Sequence, residues 1–152
     1  MPGAERIVGL VRTALLTLND ALQTGNFTVL RDVGAPGFRE PNSAARLSQI
    51  FSNLASQGVD LSGAATTTPE LAETPAIDPK TNMLHIKGRF PDQPLQINFE
   101  LLFQPVAGRW RLFGISVNPT VPAAPAATAA SPSAPAIPSD PQSKSTTKQK
   151  SP

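Results

Sequence analysis

The sequence predicts an α+β domain: N-terminal helices packed on an antiparallel sheet of three or four strands, with a Pro/Ala/Ser-rich tail behind it. Three observations carry that reading. Residues 95–117, LQINFELLFQ-PVAG-RWRLFGISV, are two alternating apolar runs around a Gly-containing turn, the pattern of a β-hairpin. Ile7, Leu10, Val11, Ala14, Leu15, Leu18, Ala21 and Leu22 recur at spacings of three and four, which makes one apolar face of a helix. All eight aromatic residues lie within 1–118, whereas residues 119–152 hold none of them and eight of the seventeen prolines. The chain therefore divides into a domain, 1–118, and a disordered, proline-rich tail, 119–152, whose composition offers too little apolar surface to fold. A domain of this size can bury one modest core.

Taken in order, the first helix is expected over residues 5–24, ended by Gly25-Asn26. Arg12 interrupts its apolar run and no small-residue cleavage site follows, so it reads as an amphipathic helix rather than a signal peptide. The compartment is not fixed by the sequence: as it stands a cytoplasmic protein is expected, and an upstream leader would make it exported or periplasmic. The run is too short and too charged to cross a membrane. Asn26 caps a short helix from Phe27 to Val33, Gly34-Ala-Pro-Gly37 breaks it, and Phe38 anchors the loop. A third helix follows from Ser43 to Gln57, with Asn42 as N-cap, Gly58 beyond its end and a stripe of Leu47, Ile50, Phe51 and Leu54. Pro69, Pro75 and Pro79 allow at most an edge strand around Glu70–Ile77. Met83–Phe90 alternates as a strand, and Pro91-Asp-Gln-Pro94 turns it into the hairpin.

Registers follow from side-chain pattern, because a one-residue slip exchanges the two faces of a strand. Pairing Phe90 with Leu95 sets Ile86 against Phe99 and Leu84 against Leu101. A three-residue loop, Val106-Ala107-Gly108, then sets Leu101 against Phe113, Phe99 against Ile115 and Ile97 against Val117. One face is thereby continuous and apolar, and the helices must cover it. Its single ionisable strand residue is Arg111. The outer face carries His85 opposite Glu100, Lys87 opposite Asn98, and Arg89 opposite Gln96. Nearer the second turn it carries an apolar cluster of Met83, Leu102, Trp110 and Leu112.

The long first helix, the Leu18–Phe27 segment LNDALQTGNF, the terminal hairpin FELLFQPVAGRWRLFGISV and its Gly-Arg-Trp-Arg turn together resemble the nuclear transport factor 2-like (cystatin-like) superfamily over residues 5–118. The resemblance implies a curved, cone-like sheet wrapped by helices, a ligand site between helices and sheet, and dimerisation through the sheet. Members include enzymes, small-molecule binders and interaction modules, so the fold does not choose among them.

The chemistry available is narrow. Without cysteine or tyrosine, and with His85 as the only histidine, the chain has no disulfide, thiolate nucleophile or paired-histidine metal site. No cofactor or metal is expected. Lys and Arg balance Asp and Glu within 1–118, so the net +2 comes from the tail and gives no argument for nucleic acid. The apolar inner face departs from the catalytic pattern of the resembling family, which places a proton donor or acceptor there. The expected role is a non-catalytic binding or protein-interaction domain, self-associating through Met83, Leu102, Trp110 and Leu112, since Trp and Arg are favoured at interfaces. The alternative is a carrier of a small apolar ligand between helices and sheet. His85, Glu100 and Arg111 form the candidate polar site.

Overall fold

A computed structural model describes residues 1–91 and 95–121. Helix α1 runs from Ala4 to Thr24 and buries Ile7, Val11, Ala14, Leu15, Leu18, Asn19 and Ala21 on one side. Gly25 ends it in the left-handed region, donating its N–H to the Ala21 carbonyl at 2.8 Å. The next helix, α2 (Thr28–Asp32), is preceded by Asn26, whose side-chain oxygen accepts the Thr28 N–H at 3.0 Å. The segment expected to be a loop forms a single turn, α3 (Pro36–Arg39), because Pro36 sits at its first position, where no backbone N–H is needed. Phe38 is buried there as expected.

The third expected helix is two, α4 (Ala44–Ile50) and α5 (Ser52–Ser56), separated at Phe51. Ser43 rather than Asn42 is the N-cap, accepting the Arg46 N–H at 3.1 Å, while Asn42 donates its side-chain amide to the Phe38 carbonyl. The break lets Phe51 stack on Phe27, ring centroids 6.1 Å apart, and it leaves Ile50 off the buried stripe at 54% exposure. A 3₁₀ helix, Ser62–Ala65, follows.

The sheet has five strands rather than three or four, because the expected edge strand around 70–77 forms as two fragments. These are β1 (Glu70–Leu71) and β2 (Ala76–Ile77), both antiparallel to β3 (Leu84–Phe90). Pro75 lies between the fragments and has no N–H to give a ladder. The remaining order is β3, β4 (Gln96–Val106), β5 (Arg109–Thr120). The last strand takes in Pro119 and Thr120, so the domain runs past the expected boundary at 118. The tail from 122 onward and residues 92–94 of the expected Pro91–Pro94 turn lie outside the described residues.

Two registers differ from expectation, with different consequences. Between β3 and β4, Phe90 pairs with Ile97, Ile86 with Leu101 and Leu84 with Phe103. That is a slip of two residues, which changes every partner and no face. Between β4 and β5 the loop is two residues, Ala107-Gly108, both with positive φ (50° and 75°), and Val106 pairs with Arg109. The ladder then shifts between Leu102 and Phe103: Phe103 pairs with Leu112, Leu102 with Gly114, and Phe113 is the extra residue of a β-bulge.

The inner face gives the core its sheet half: Leu84, Ile86, Phe90, Ile97, Phe99, Leu101, Phe103 and Leu112, packed with the α1 stripe and with Leu30, Phe38, Leu47 and Leu54. Gly88 is required within it. A Cβ there would stand 2.5 Å from the Glu70 carbonyl oxygen and 2.8 Å from the Phe99 ring, which lies across the glycine.

Candidate functional site

A cleft of about 400 Å³ opens where α1, the 58–67 segment and the β3 and β4 ends meet. Its apolar surface comes from Leu15 on α1, from Leu61 and Ala64, and from Phe90, Leu95 and Ile97 on the sheet. Its volume is in the range of small-molecule sites. Asp60, Ser62 and Thr67 supply polar groups on one wall.

That wall is held by local chemistry. Asn19, buried at 8% exposure on the core side of α1, accepts the Leu61 backbone N–H through its side-chain oxygen at 2.9 Å. A buried amide paired with a backbone donor fixes the wall against α1, since leaving that donor unpaired would cost about 1–3 kcal/mol. Asp60 accepts the Ser62 N–H at 2.9 Å, which starts the 3₁₀ turn. Hydrogen bonds from the Ser62 backbone and side chain hold the Asp60 carboxyl below the usual carboxylate range. Such a depressed group stabilises the fold at pH above the ordinary carboxylate value and loses that contribution as pH falls through its lowered pKa. Asp60 is the one ionisable residue among the described residues lining the cleft.

The four residues expected to form an outer apolar cluster are not brought together. The bulge at Phe113 turns the end of β5 over, so Leu112 pairs with Phe103 and is 3% exposed within the core. Trp110 pairs with Pro105 on that same inner side and packs against the core beside Leu10 and Ala14 of α1. Met83 and Leu102 stay on the outer side, half-buried.

Arg111 moves the opposite way, to the outer side opposite Gln104. No ionisable side chain is then left on the inner face of the described strands. His85 and Glu100 do meet, as a diagonal pair, His85 Nε2 donating to Glu100 Oε1 at 2.8 Å, although their directly opposed partners are Leu102 and Lys87. Arg89 pairs with Glu70 at 2.8 Å on that side, and lies opposite Asn98 rather than Gln96. Both contacts are solvent-exposed, and an exposed ion pair such as Arg89–Glu70 contributes about 0–1 kcal/mol.

The sheet and helix walls of the cleft follow from the sequence pattern, whereas the third wall, the 58–67 segment, has no periodic signal in the sequence. The available signal was Asp60-Leu-Ser62, an acceptor two residues before a turn donor, separated by one residue from the Gly58 that follows α5. Among the described residues no group of three or more His, Asp or Glu is placed to hold a metal ion, and no helix is long and apolar enough to cross a membrane. Compared with protein-family models, with curated proteins and with solved structures, the chain finds no match in any of the three.

Proposed function

We propose that this is a non-catalytic binding domain that takes a small, largely apolar ligand in the cleft between α1, the 58–67 segment and the sheet. The single observation that carries the proposal is the lining: six apolar side chains form the floor of a cleft of about 400 Å³, and polar groups, chiefly of the 58–67 segment, make up a comparable share of its surface. Recognition sites of this kind combine an apolar body with a few placed polar groups that orient the ligand. An anionic Asp60 at the rim favours a ligand whose polar end donates hydrogen bonds or carries positive charge. The same depressed carboxyl is a weak proton acceptor near neutral pH, which supports binding over catalysis. The layout expected from the nuclear transport factor 2-like resemblance, with ligands held between helices and sheet, is in keeping with this position.

Native mass spectrometry of freshly purified protein tests it, paired with the variant Ser62→Trp. Ser62 is exposed at the rim, so an indole can fill the cleft without entering the core. The expected result is a co-purifying small molecule on the natural chain and none on the variant. Equal occupancy of the two proteins, or no bound molecule together with no uptake of an apolar amine probe, removes the proposal.

A further inference from the structure

The outer edge of β5 is a second binding feature, independent of the cleft. Which of its backbone groups point outward can be read from the ladder. Ala72 donates its N–H to the Lys87 carbonyl at 2.8 Å, so Lys87 faces away from β4, and Ile86 and Gly88 face toward it. Their partners Leu101 and Phe99 therefore bond to β3, and the alternate residues Asn98 and Glu100 bond to Asn118 and Ser116 of β5. Ile115, Val117 and Pro119 are left facing out of the sheet. Pro119 agrees with this independently, since a residue without an N–H is tolerated where nothing is asked to accept from it.

Nearer the turn the bulge reverses the phase, and the outward carbonyl of Leu112 accepts the Ala35 N–H at 2.7 Å. The free edge is therefore a short window, with the N–H and C=O groups of Ile115 and Val117 open among the described residues. Beside it runs a groove of about 340 Å³ between β5 and α4–α5, with apolar groups from Ile50, Ile115 and Val117 and polar ones from Asn53, Gln57 and Asn118. The exposed Ile50 stands on its rim.

We propose that this edge pairs with the same edge of a second copy of the chain, antiparallel and centred on Ser116. About that two-fold axis Ile115 meets Val117 of the other copy, and Ser116 meets its own counterpart. The two Ile115–Val117 pairings bring about four inter-chain backbone bonds. The axis stands perpendicular to the sheet, so both copies present α4–α5 on one side of the seam. The two Ile50 side chains then converge above Ile115 and Val117.

Charge is what selects a second copy as the occupant. In a two-fold pair the seam meets an identical seam running the other way, with only the axial Ser116 opposite its own counterpart, so a charged edge repels itself, and natural edges use charges for that purpose. Residues 112–120 of β5 and residues 50–57 along the groove carry no charged side chain. The outer sheet face, by contrast, carries Lys87, Arg89 and Arg111 against Glu70 and Glu100.

The test uses the full chain and two variants of Ser116, which is exposed and so can change without entering the core. Sedimentation should give twice the 16.0 kDa chain mass. Ser116→Lys should weaken the dimer by about tenfold or more, with an unchanged circular dichroism spectrum, because it opposes like charges across the axis. Ser116→Cys, in a chain with no other cysteine, should oxidise to a covalent dimer. Lys87→Cys, on the outer face of β3, should not. The Ile115 and Val117 amides should also gain protection from hydrogen exchange as protein concentration rises. A monomer at every concentration, a dimer undiminished by Ser116→Lys, or crosslinking through Lys87→Cys instead would overturn the proposal. Edge protection independent of concentration would assign the edge to the chain's own C-terminal segment and overturn it equally.

Discussion

The β4–β5 hairpin consists of two regions divided by one residue. On the sheet side of Phe113, Ile115 and Val117 point inward and Ser116 and Asn118 outward; on the turn side, Trp110 and Leu112 point inward and Arg109 and Arg111 outward. The two regions share strands, hydrogen bonding and an alternating pattern, and they differ only in phase. A phase change of one residue carries an entire set of side chains to the other face, whereas the two-residue slip between β3 and β4 carries none. The bulge therefore decides where the surface chemistry is. It puts Trp110 over the middle of α1, beside Leu10 and Ala14, sends Arg111 to the outer side, and leaves Met83 and Leu102 without their expected neighbours.

The largest effect that can break this comparison comes from two leucines that a continuous alternation would place together. Leu112 lies in the turn-side region at 3% exposure, and Leu102 lies on the outer face, half-buried. Leu112→Ala is expected to cost about 2–5 kcal/mol by loss of burial and creation of a cavity. Leu102→Ala should cost roughly 1 kcal/mol or less, since its surroundings are open to solvent. Urea titration of both variants measures the difference. Equal losses would mean that the bulge does not separate the faces.

A smaller effect sharpens the sheet-side region. Gly88 pairs with Phe99, and a Cβ at that position meets both the Phe99 ring and the β1 backbone. Gly88→Ala is expected to cost about 1–3 kcal/mol through forced displacement of those neighbours. Hydrogen exchange should show the loss concentrated in β1 and the adjoining Ala72, whose N–H would exchange faster. Loss spread evenly over the sheet would show that Phe99, rather than β1, gives way.

Much of the fold was legible in the sequence, and what was not has a common cause. Helix α1 could be read from periodicity because its burial is one-sided along its whole length. The inner face as far as Ile115 and Val117 could be read because alternation survives any even slip. The end of the hairpin could not, since an unbroken alternation backward from Val117 takes in Phe113 before anything contradicts it. The contradiction was nevertheless present. Continuing that phase to Arg111 would bury a guanidinium group, whereas Trp110 and Leu112 in the opposite phase would not. A slip between Leu112 and Ile115 was the arrangement that satisfied both halves. The third wall of the cleft was illegible for another reason: residues 58–67 are positioned by Asn19, 42 residues away from Leu61, and no local pattern encodes that bond.

The smallest effect concerns the turn that sets the phase of the turn-side region. Ala107 and Gly108 both hold positive φ, at 50° and 75°, as a two-residue hairpin loop requires. Glycine adopts this conformation freely, but alanine pays a steric penalty of about 1–2 kcal/mol from its Cβ against the following carbonyl. Asparagine tolerates the left-handed region better, and Asn-Gly is the favoured pair for this loop. Ala107 is exposed, so the larger side chain displaces nothing. Ala107→Asn is therefore expected to stabilise the domain by about 0.5–1 kcal/mol, read as a rise of about 2–6 °C in the thermal midpoint. Ala107→Val should move it the other way, because a β-branched side chain is worse in the same conformation. A three-residue loop would have only Gly108 left-handed and would gain nothing from asparagine at 107. A flat response to Ala107→Asn would thus move the turn by one residue, and with it every inward and outward assignment between the turn and the bulge.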